Sequence, residues 1–242
     1  MNQPLATASS VSIVIPAYNS SAFLPAAIES VLAQTYRDGE IEIVVVDDGS
    51  PDDIKAVCDR YPTVKYVYQT NQGVLAARNQ GIEVSCGSLL IFLDGDDCLL
   101  PEAVEIGVDC LKEHPEAGFV FGRYVFKAIN PDGSYTIQKL FEEPPPIASY
   151  TTILALQHNI QCATAICRRE AIESVGRFSL QQEDMNLFLS IARQYPIFFH
   201  DRAVSEYRYH GDNISSKSAK MLASTLQTLE LEWEYIRQTG DL

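Results

Sequence analysis

Acidic residues gather twice in this chain, each time directly after an apolar run of strand length. Ile41 to Val46 ends in Asp47-Asp48-Gly49-Ser50, and Leu89 to Leu93 ends in Asp94-Gly95-Asp96-Asp97. Crowded carboxylates repel one another unless a cation or hydrogen bonds compensate. Three acids within four residues therefore point to a hard divalent cation, Mn²⁺ or Mg²⁺. Such an ion takes oxygen ligands and commonly bridges one or two carboxylates to substrate phosphates. The competing reading is a solvated turn, since Asp and Gly are turn formers. The position after a buried strand, with a second acidic pair on a neighbouring one, favours the cation. Phosphate-binding glycine loops of the Gly-x-x-x-x-Gly-Lys-Ser/Thr or Gly-x-Gly-x-x-Gly kind are lacking. Phosphate charge is then left to the metal and to scattered basic groups, with Arg78 and Arg208 as candidates.

The elements that must position these residues can be read from the hydrophobic pattern. Val11 to Ile15 is a β-branched run expected to stop at Pro16, which cannot donate to a central ladder. Phe23, Leu24, Ala27, Ile28, Val31 and Leu32 follow the rhythm of a helix with one buried face. Ile41 to Val46 suits a parallel strand buried on both faces. Ser50 is placed to cap a helix running through Arg60, Val64 to Tyr68 is a third strand, and Val74 to Val84 a further helix. Leu89 to Leu93 is a fourth strand. This alternation argues for a parallel sheet with helices on both sides, whose ligands bind beyond the carboxyl ends of the strands.

The second half is less regular. Phe119 to Phe126 and Tyr135 to Leu140 read as strands around the turn Asn130-Pro131-Asp132-Gly133, and Glu142 to Pro146 reads as a loop. Ala163 to Cys167 is a strand, Met185 to Gln194 a helix, and Val204 to Tyr209 a late strand. A tail helix from Ser216 to Arg237 carries Leu222, Leu226, Leu229 and Trp233 on one side, a stripe that needs burial against the domain or in a homodimer contact.

Totals narrow the function classes. Over 242 residues the net charge is −14, with 46% hydrophobic residues, which permits a substantial core and argues against a nucleic-acid partner. The same charge opposes electrostatic docking to an anionic leaflet, and no apolar run is long enough to span a bilayer. Met1 to Ser10 lacks the pattern of a signal peptide, and the six cysteines form no Cys-x-x-Cys pair. The expectation is a reduced, cytoplasmic protein, peripheral at most to the inner membrane face.

Taken in order, the motifs resemble those of the family 2 glycosyltransferases of the GT-A fold. The matching pieces are Val14-Ile15-Pro16-Ala17-Tyr18-Asn19, Val44-Val45-Val46-Asp47-Asp48-Gly49-Ser50, Asn71-Gln72-Gly73 with Ala77-Arg78-Asn79, and Leu93-Asp94-Gly95-Asp96-Asp97. Val175-Gly176-Arg177-Phe178, Glu183-Asp184 and Tyr207-Arg208-Tyr209-His210 complete the set over roughly residues 10 to 215. Any one is weak; the ordered set is specific.

The resemblance implies an α/β, Rossmann-like, mostly parallel sheet flanked by helices, with a smaller acceptor-side subdomain. Residues 1–100 would bind the nucleotide-sugar, 101–215 the acceptor and the catalytic base, and 216–242 would form the terminal helix. It implies a nucleotide site drawn from Pro16, Ala17, Tyr18, Asp48, Asn71, Gly73, Arg78, Asp94 and Asp96. Tyr18 would pack on the base, and Asp48 would accept a hydrogen bond from it, which suits uracil or thymine. Asp96 or Asp97 would hold the metal, and a late histidine, His210, would complete its shell in some of these enzymes. From its residue type alone, a lone histidine beside aromatics reads instead as a structural or acceptor-lining residue. His158-Asn159 and the prolines at 144–146 fall where the acceptor, a carbohydrate or lipid-linked one, is contacted. Asp184 matches the catalytic base, although from its residue type alone it reads as a helix N-cap. One base plus a metal-assisted leaving group implies a single displacement with inversion. The alternatives are an inactive nucleotide- or sugar-binding module of the same fold, and a nucleotidyltransferase, which wants a basic, glycine-rich loop that Ser9 to Ser20 does not supply.

Overall fold

A computed structural model of the chain describes residues 9–129, 134–138, 147–157, 160–179, 184–210, 213 and 218–240. The expected turn at 130–133, the end of the strand at 139–140, the proline loop, His158-Asn159 and Glu183 lie outside the described residues.

The first third builds as its pattern requires. Strands β1 (Val11–Ala17), β2 (Ile41–Asp48), β3 (Val64–Gln69) and β4 (Leu89–Phe92) pair in parallel in the order β3-β2-β1-β4. Their apolar runs are continuous because both faces are covered. Ile13 and Ile15 pack with Leu24 and Ile28 of α1 (Leu24–Leu32) and Ile54 of α2 (Ile54–Cys58). On the opposite face Val14 and Phe92 pack with Ile82 of α3 (Val74–Val84). That face admits the helix because residue 81 is glycine: a Cβ there would lie 2.1 Å from Val14 Cγ1.

Two boundaries differ from the sequence pattern. β1 runs through Pro16 although it is a central strand. Its ladder to β4 ends at Val14, whose carbonyl accepts the Leu93 amide, while its ladder to β2 continues to Ala17. Residues two apart face the same neighbour, so the donor Pro16 lacks falls where β4 has already ended. α2 is capped by Asp53, whose Oδ1 accepts the Ala56 amide at 2.9 Å, and it ends at Cys58. Ser50 instead accepts the Asn19 amide at 2.7 Å and ties the ends of β1 and β2 together.

The second half extends the same sheet. β8 (Ala165–Arg168) joins β4 antiparallel, followed by β6 (Phe119–Ile129), β9 (Ile197–Tyr209) and the short edge strand β5 (Cys98–Leu99), with β7 (Tyr135–Gln138) paired to β6. β9 starts at Ile197 rather than Val204. Its first segment pairs with Phe119–Phe121, and an irregularity between Phe121 and Tyr124 separates that segment from the later one. α4 (Ala103–Glu113) is an element beyond those expected, though Val104, Val108 and Leu111 give it a buried face at helical spacing. α5 (Tyr150–Leu154), α6 (Arg169–Ser174), α7 (Asp184–Gln194) and α8 (Ser218–Thr239) complete the described helices. None is long and apolar enough to cross a membrane.

α8 corrects one expectation. Leu222, Leu226 and Trp233 are exposed, while Thr228 and Glu232 are buried. The helix docks through a polar contact: Glu232 pairs with Arg193 of α7 and accepts the Tyr150 hydroxyl at 2.7 Å. Of the expected stripe, Leu222, Leu226 and Trp233 do not pack back onto the domain, whereas Leu229 is half-buried.

Candidate active site

The acidic ends of β2 and β4 and the end of β1 share one edge of the sheet, and each carboxylate there has a distinct set of partners. Asp47 accepts the Ser50 amide and the Tyr66 hydroxyl, both at 2.8 Å, and so pins its own turn. Asp48 is buried. Its Oδ1 accepts Gln69 Nε2 at 2.7 Å and the Gln72 amide at 2.8 Å, and its Oδ2 accepts the Gly73 amide at 2.8 Å. It thereby shapes the Asn71-Gln72-Gly73 loop against the β2 turn. Gly49 leaves room for this, since a Cβ there would lie 2.7 Å from the Asn71 amide, and Gly73 enters α3 at φ +92°. A carboxylate has about four acceptor positions, so these three donors leave one on Asp48. Beside it, Pro16 and Ala17 are buried in β1, and the Tyr18 ring is 54% exposed.

Arg78 is the centre of the arrangement. It is 2% exposed, yet it is not a surface cation awaiting phosphate. Its Nη2 donates to Asp94 Oδ1 at 2.7 Å and its Nη1 forms an ion pair with Asp184 Oδ2 at 3.1 Å, with the Phe178 ring 5.5 Å from the guanidinium carbon. Burial favours its neutral form, but the charges of Asp184 and Asp94 outweigh this and hold it firmly cationic. Burial likewise pushes the Asp184 carboxyl up, and Arg78, the Cys162 thiol and the residue's own amide overcome it, leaving Asp184 below the usual carboxylate range. Asp94 moves the other way: burial and the charges of Asp96 and Asp184 exceed the help from Arg78. The neighbouring Asn79 ties α3 to the segment after α6, exchanging hydrogen bonds with the Phe178 amide and carbonyl at 3.0 and 2.8 Å. The Ala77-Arg78-Asn79 and Gly176-Arg177-Phe178 motifs thus dock on each other.

The expected metal residues divide. Asp96 Oδ2 lies 3.2 Å from both His210 Nε2 and Asn213 Nδ2, and the His210 ring stacks on Phe23 with centroids 4.1 Å apart. Asp97 is turned inward: it is 4% exposed, its Oδ1 accepts the Arg208 amide at 2.8 Å, and burial pushes its carboxyl well up. It does not join Asp96 and His210. Arg208 also differs from expectation. Its guanidinium donates to the backbone carbonyls of Asp96 at 2.5 Å and Phe23 at 3.2 Å, so it braces the acidic turn rather than presenting itself to phosphate. Among the described residues no group of three His, Cys, Asp or Glu gathers in metal-ligand geometry. An adjacent carboxylate and imidazole nonetheless fit a divalent ion that keeps most of its shell for phosphate oxygens and water. Cys162 and Asn213 are not singled out by the sequence, and Phe23 and Asn79 enter it only as a helix-face residue and a motif member, because their roles come from long-range contacts that no local pattern announces.

The family profile described as Glycosyl transferase family 2 matches residues 12–176, and the chain belongs to that family. It is 30% identical over 216 residues to the UDP-Glc:alpha-D-GlcNAc-diphosphoundecaprenol beta-1,3-glucosyltransferase WfaP of Escherichia coli, covering 88% of this chain and 82% of that protein. A Rickettsia felis glycosyltransferase is 38% identical over 128 residues, but these are 52% of this chain and the chain spans only 20% of that relative's length. The fold is that of S. aureus TarS 1-349 in complex with UDP-GlcNAc, at TM-score 0.69 and 22% identity over 86% of this chain and 60% of that one. The mannosyltransferase PcManGT from Pyrobaculum calidifontis, in complex with GDP-Man and Mn²⁺, matches at TM-score 0.71 and 17% identity over 91% and 63%. The α/β sheet with flanking helices is therefore of the GT-A type.

Proposed function

We propose that the chain transfers a sugar from a nucleoside-diphosphate donor, UDP- or dTDP-linked, to an acceptor hydroxyl with inversion. The observation that carries this reading is the single buried Arg78 that joins Asp94, on the donor side, to Asp184, the candidate base. Residues 1–100 serve the donor, 101–215 the acceptor and the base, and 216–242 form the terminal helix. The exposed Tyr18 ring stacks on the base beside Pro16 and Ala17, and the one acceptor position left on Asp48 takes the ring N–H of uracil or thymine. Asn71 and Gly73 close the other side of this pocket. Asp96 and His210 hold Mn²⁺ or Mg²⁺, which when bound stabilises charge on the departing diphosphate.

The acceptor oxygen attacks the anomeric carbon while the bond from that carbon to the diphosphate oxygen breaks, and Asp184 takes the hydroxyl proton. Arg78 keeps Asp184 ionised and therefore ready to accept, at some cost in basicity. It acts on the donor through Asp94, not through phosphate. A carbohydrate or lipid-linked acceptor in cell-surface polysaccharide assembly accords with what WfaP acts on and with the 28% identity to the minor teichoic acid biosynthesis protein GgaB of Bacillus subtilis. The protein works in the cytoplasm or against the inner face of the membrane, with no nucleic-acid partner, and the open leucine edge of α8 offers a homodimer contact.

Calorimetric titration of UDP, TDP and GDP, with and without Mn²⁺, on wild type and Asp96→Ala tests the donor site. One nucleotide is expected to bind tightly, and to weaken without metal and in the variant. No binding under any condition overturns the proposal. Binding without turnover of UDP-glucose, UDP-N-acetylglucosamine or a wider donor panel points to an inactive module instead.

A further inference from the structure

We propose that Cys162 is a positioning residue for the base, donating its thiol hydrogen to Asp184 so that one carboxylate oxygen is fixed and the other is presented to the acceptor. The proposal rests on the reading of Asp184 as the base. Cys162 opens a 3₁₀ turn, Cys162–Thr164, that leads into β8. The turn is set by Gln161, whose carbonyl accepts both the Thr164 amide at 2.9 Å and the Thr164 hydroxyl at 2.7 Å. The Cys162 side chain is buried, and its Sγ lies 3.3 Å from Asp184 Oδ2.

The same Oδ2 forms the ion pair with Arg78 Nη1 at 3.1 Å. A cation from α3 and a hydrogen-bond donor from the 3₁₀ turn thus converge on one oxygen of a carboxylate that otherwise rotates about its own bond. Burial holds the thiol well above its ordinary range despite the nearby Arg78, so it stays protonated and can only donate to the anion. A guanidinium alone fixes Asp184 from one side; the thiol fixes it from a second. Oδ1 is then the oxygen left to take the proton. Two other buried cysteines sit among apolar side chains instead: Cys167 is packed in the core around Phe119 and Phe188, and Cys58 in the core around Ile54 and Val57.

Two measurements separate positioning from simple packing. Infrared spectra of wild type minus Cys162→Val isolate the S–H stretch of this thiol, with or without a known substrate. The band is expected at the low frequency of a strong hydrogen bond, and to move up in Asp184→Ala. A band that sits at the free-thiol position, or that Asp184→Ala leaves unmoved, overturns the proposal. In turnover of UDP-glucose with Mn²⁺, Cys162→Ala and the volume-matched Cys162→Val are expected to lower kcat about three- to tenfold, the worth of one modest hydrogen bond. The donor KM stays constant, and Cys162→Ser, which keeps a donor, recovers most of the rate. Unchanged kcat in both Ala and Val variants refutes the role. Asp184→Asn keeps the two failures apart: if it retains wild-type turnover, the base reading is what falls, whereas an inactive Asp184→Asn beside fully active Cys162 variants removes only the thiol.

Discussion

Arg78→Met keeps the length and apolar bulk of the side chain while deleting the one cation between Asp94 and Asp184. Removing one partner of a fully buried ion pair costs about 3–5 kcal/mol, because the remaining charge is stranded. Asp94 and Asp184 each keep 42% of their side-chain surface exposed, so water screens part of the loss. Roughly half, or about 2 kcal/mol, is then expected. For a chain of this size that lowers Tm by about 4–8 °C at pH 8. The pH dependence carries the sharper test. In the wild type the folded-state pKa of Asp184 is depressed, so its pairing stabilises the fold above the unfolded value of about 3.9 and is lost as pH falls through the folded value. In the variant the Cys162 thiol and the residue's own amide still favour the anion, but the Arg78 charge, the largest influence opposing burial, is gone and that pKa rises relative to the wild type. Less stability is then lost on acidification than in the wild type. The Tm gap between the two proteins should be widest at pH 8 and narrow as pH falls, closing through the wild type's depressed carboxyl below the unfolded value of about 3.9. Differential scanning calorimetry across that range gives the answer. A gap of equal size at pH 8 and at the acid end of that range would mean that Arg78 acts through packing on Phe178, and the charge argument would be wrong.

Three further outcomes follow from distances already given. Gly81→Ala drives a Cβ to within 2.1 Å of Val14 Cγ1, so it should lose about 1–3 kcal/mol in urea unfolding, with the m-value unchanged. Asn79→Ala removes both hydrogen bonds to the Phe178 backbone and should cost about 1–3 kcal/mol; limited proteolysis should then cut near Phe178 faster than in the wild type. Asp97→Asn keeps an acceptor for the Arg208 amide, so Mn²⁺-dependent UDP binding should stay within about threefold of wild type. Asp96→Asn, by contrast, should lose about tenfold or more by calorimetry, the difference between a charged and a neutral ligand for a hard cation. Equal losses in the two variants would put Asp97 back among the metal ligands.

The parallel core is legible because burial on both faces writes itself as an unbroken apolar run, as in Ile43-Val44-Val45-Val46. Acidic strand ends are legible for the opposite reason, since charge directly after such a run has no packing role. Helix α4 carries a readable face in Val104, Val108 and Leu111, although no helix was expected there. What the pattern does not encode is the direction in which a side chain turns. Asp96 and Asp97 are adjacent and chemically alike, yet one meets His210 and the other caps the Arg208 amide. Arg78 and Arg208 likewise look like spare cations in a sequence, and both prove committed, one to carboxylates and one to carbonyls. The α8 stripe misleads because amphipathic spacing assumes that the apolar side is the docking side, whereas Glu232 and Arg193 supply the contact here.

The bracing of the acidic turn by β9 has a consequence for the order of biosynthesis. Asp96 leaves the ribosome early, whereas Arg208, His210 and Asn213 emerge only when the last described strand, β9, is being completed. Edge strand β5, just beyond Asp97, pairs with β9 and with no other described strand. The nascent chain can therefore assemble β3-β2-β1-β4 as a unit while the acidic turn still lacks its late partners. A chain truncated before residue 208 would carry the acids but not the frame that aims them.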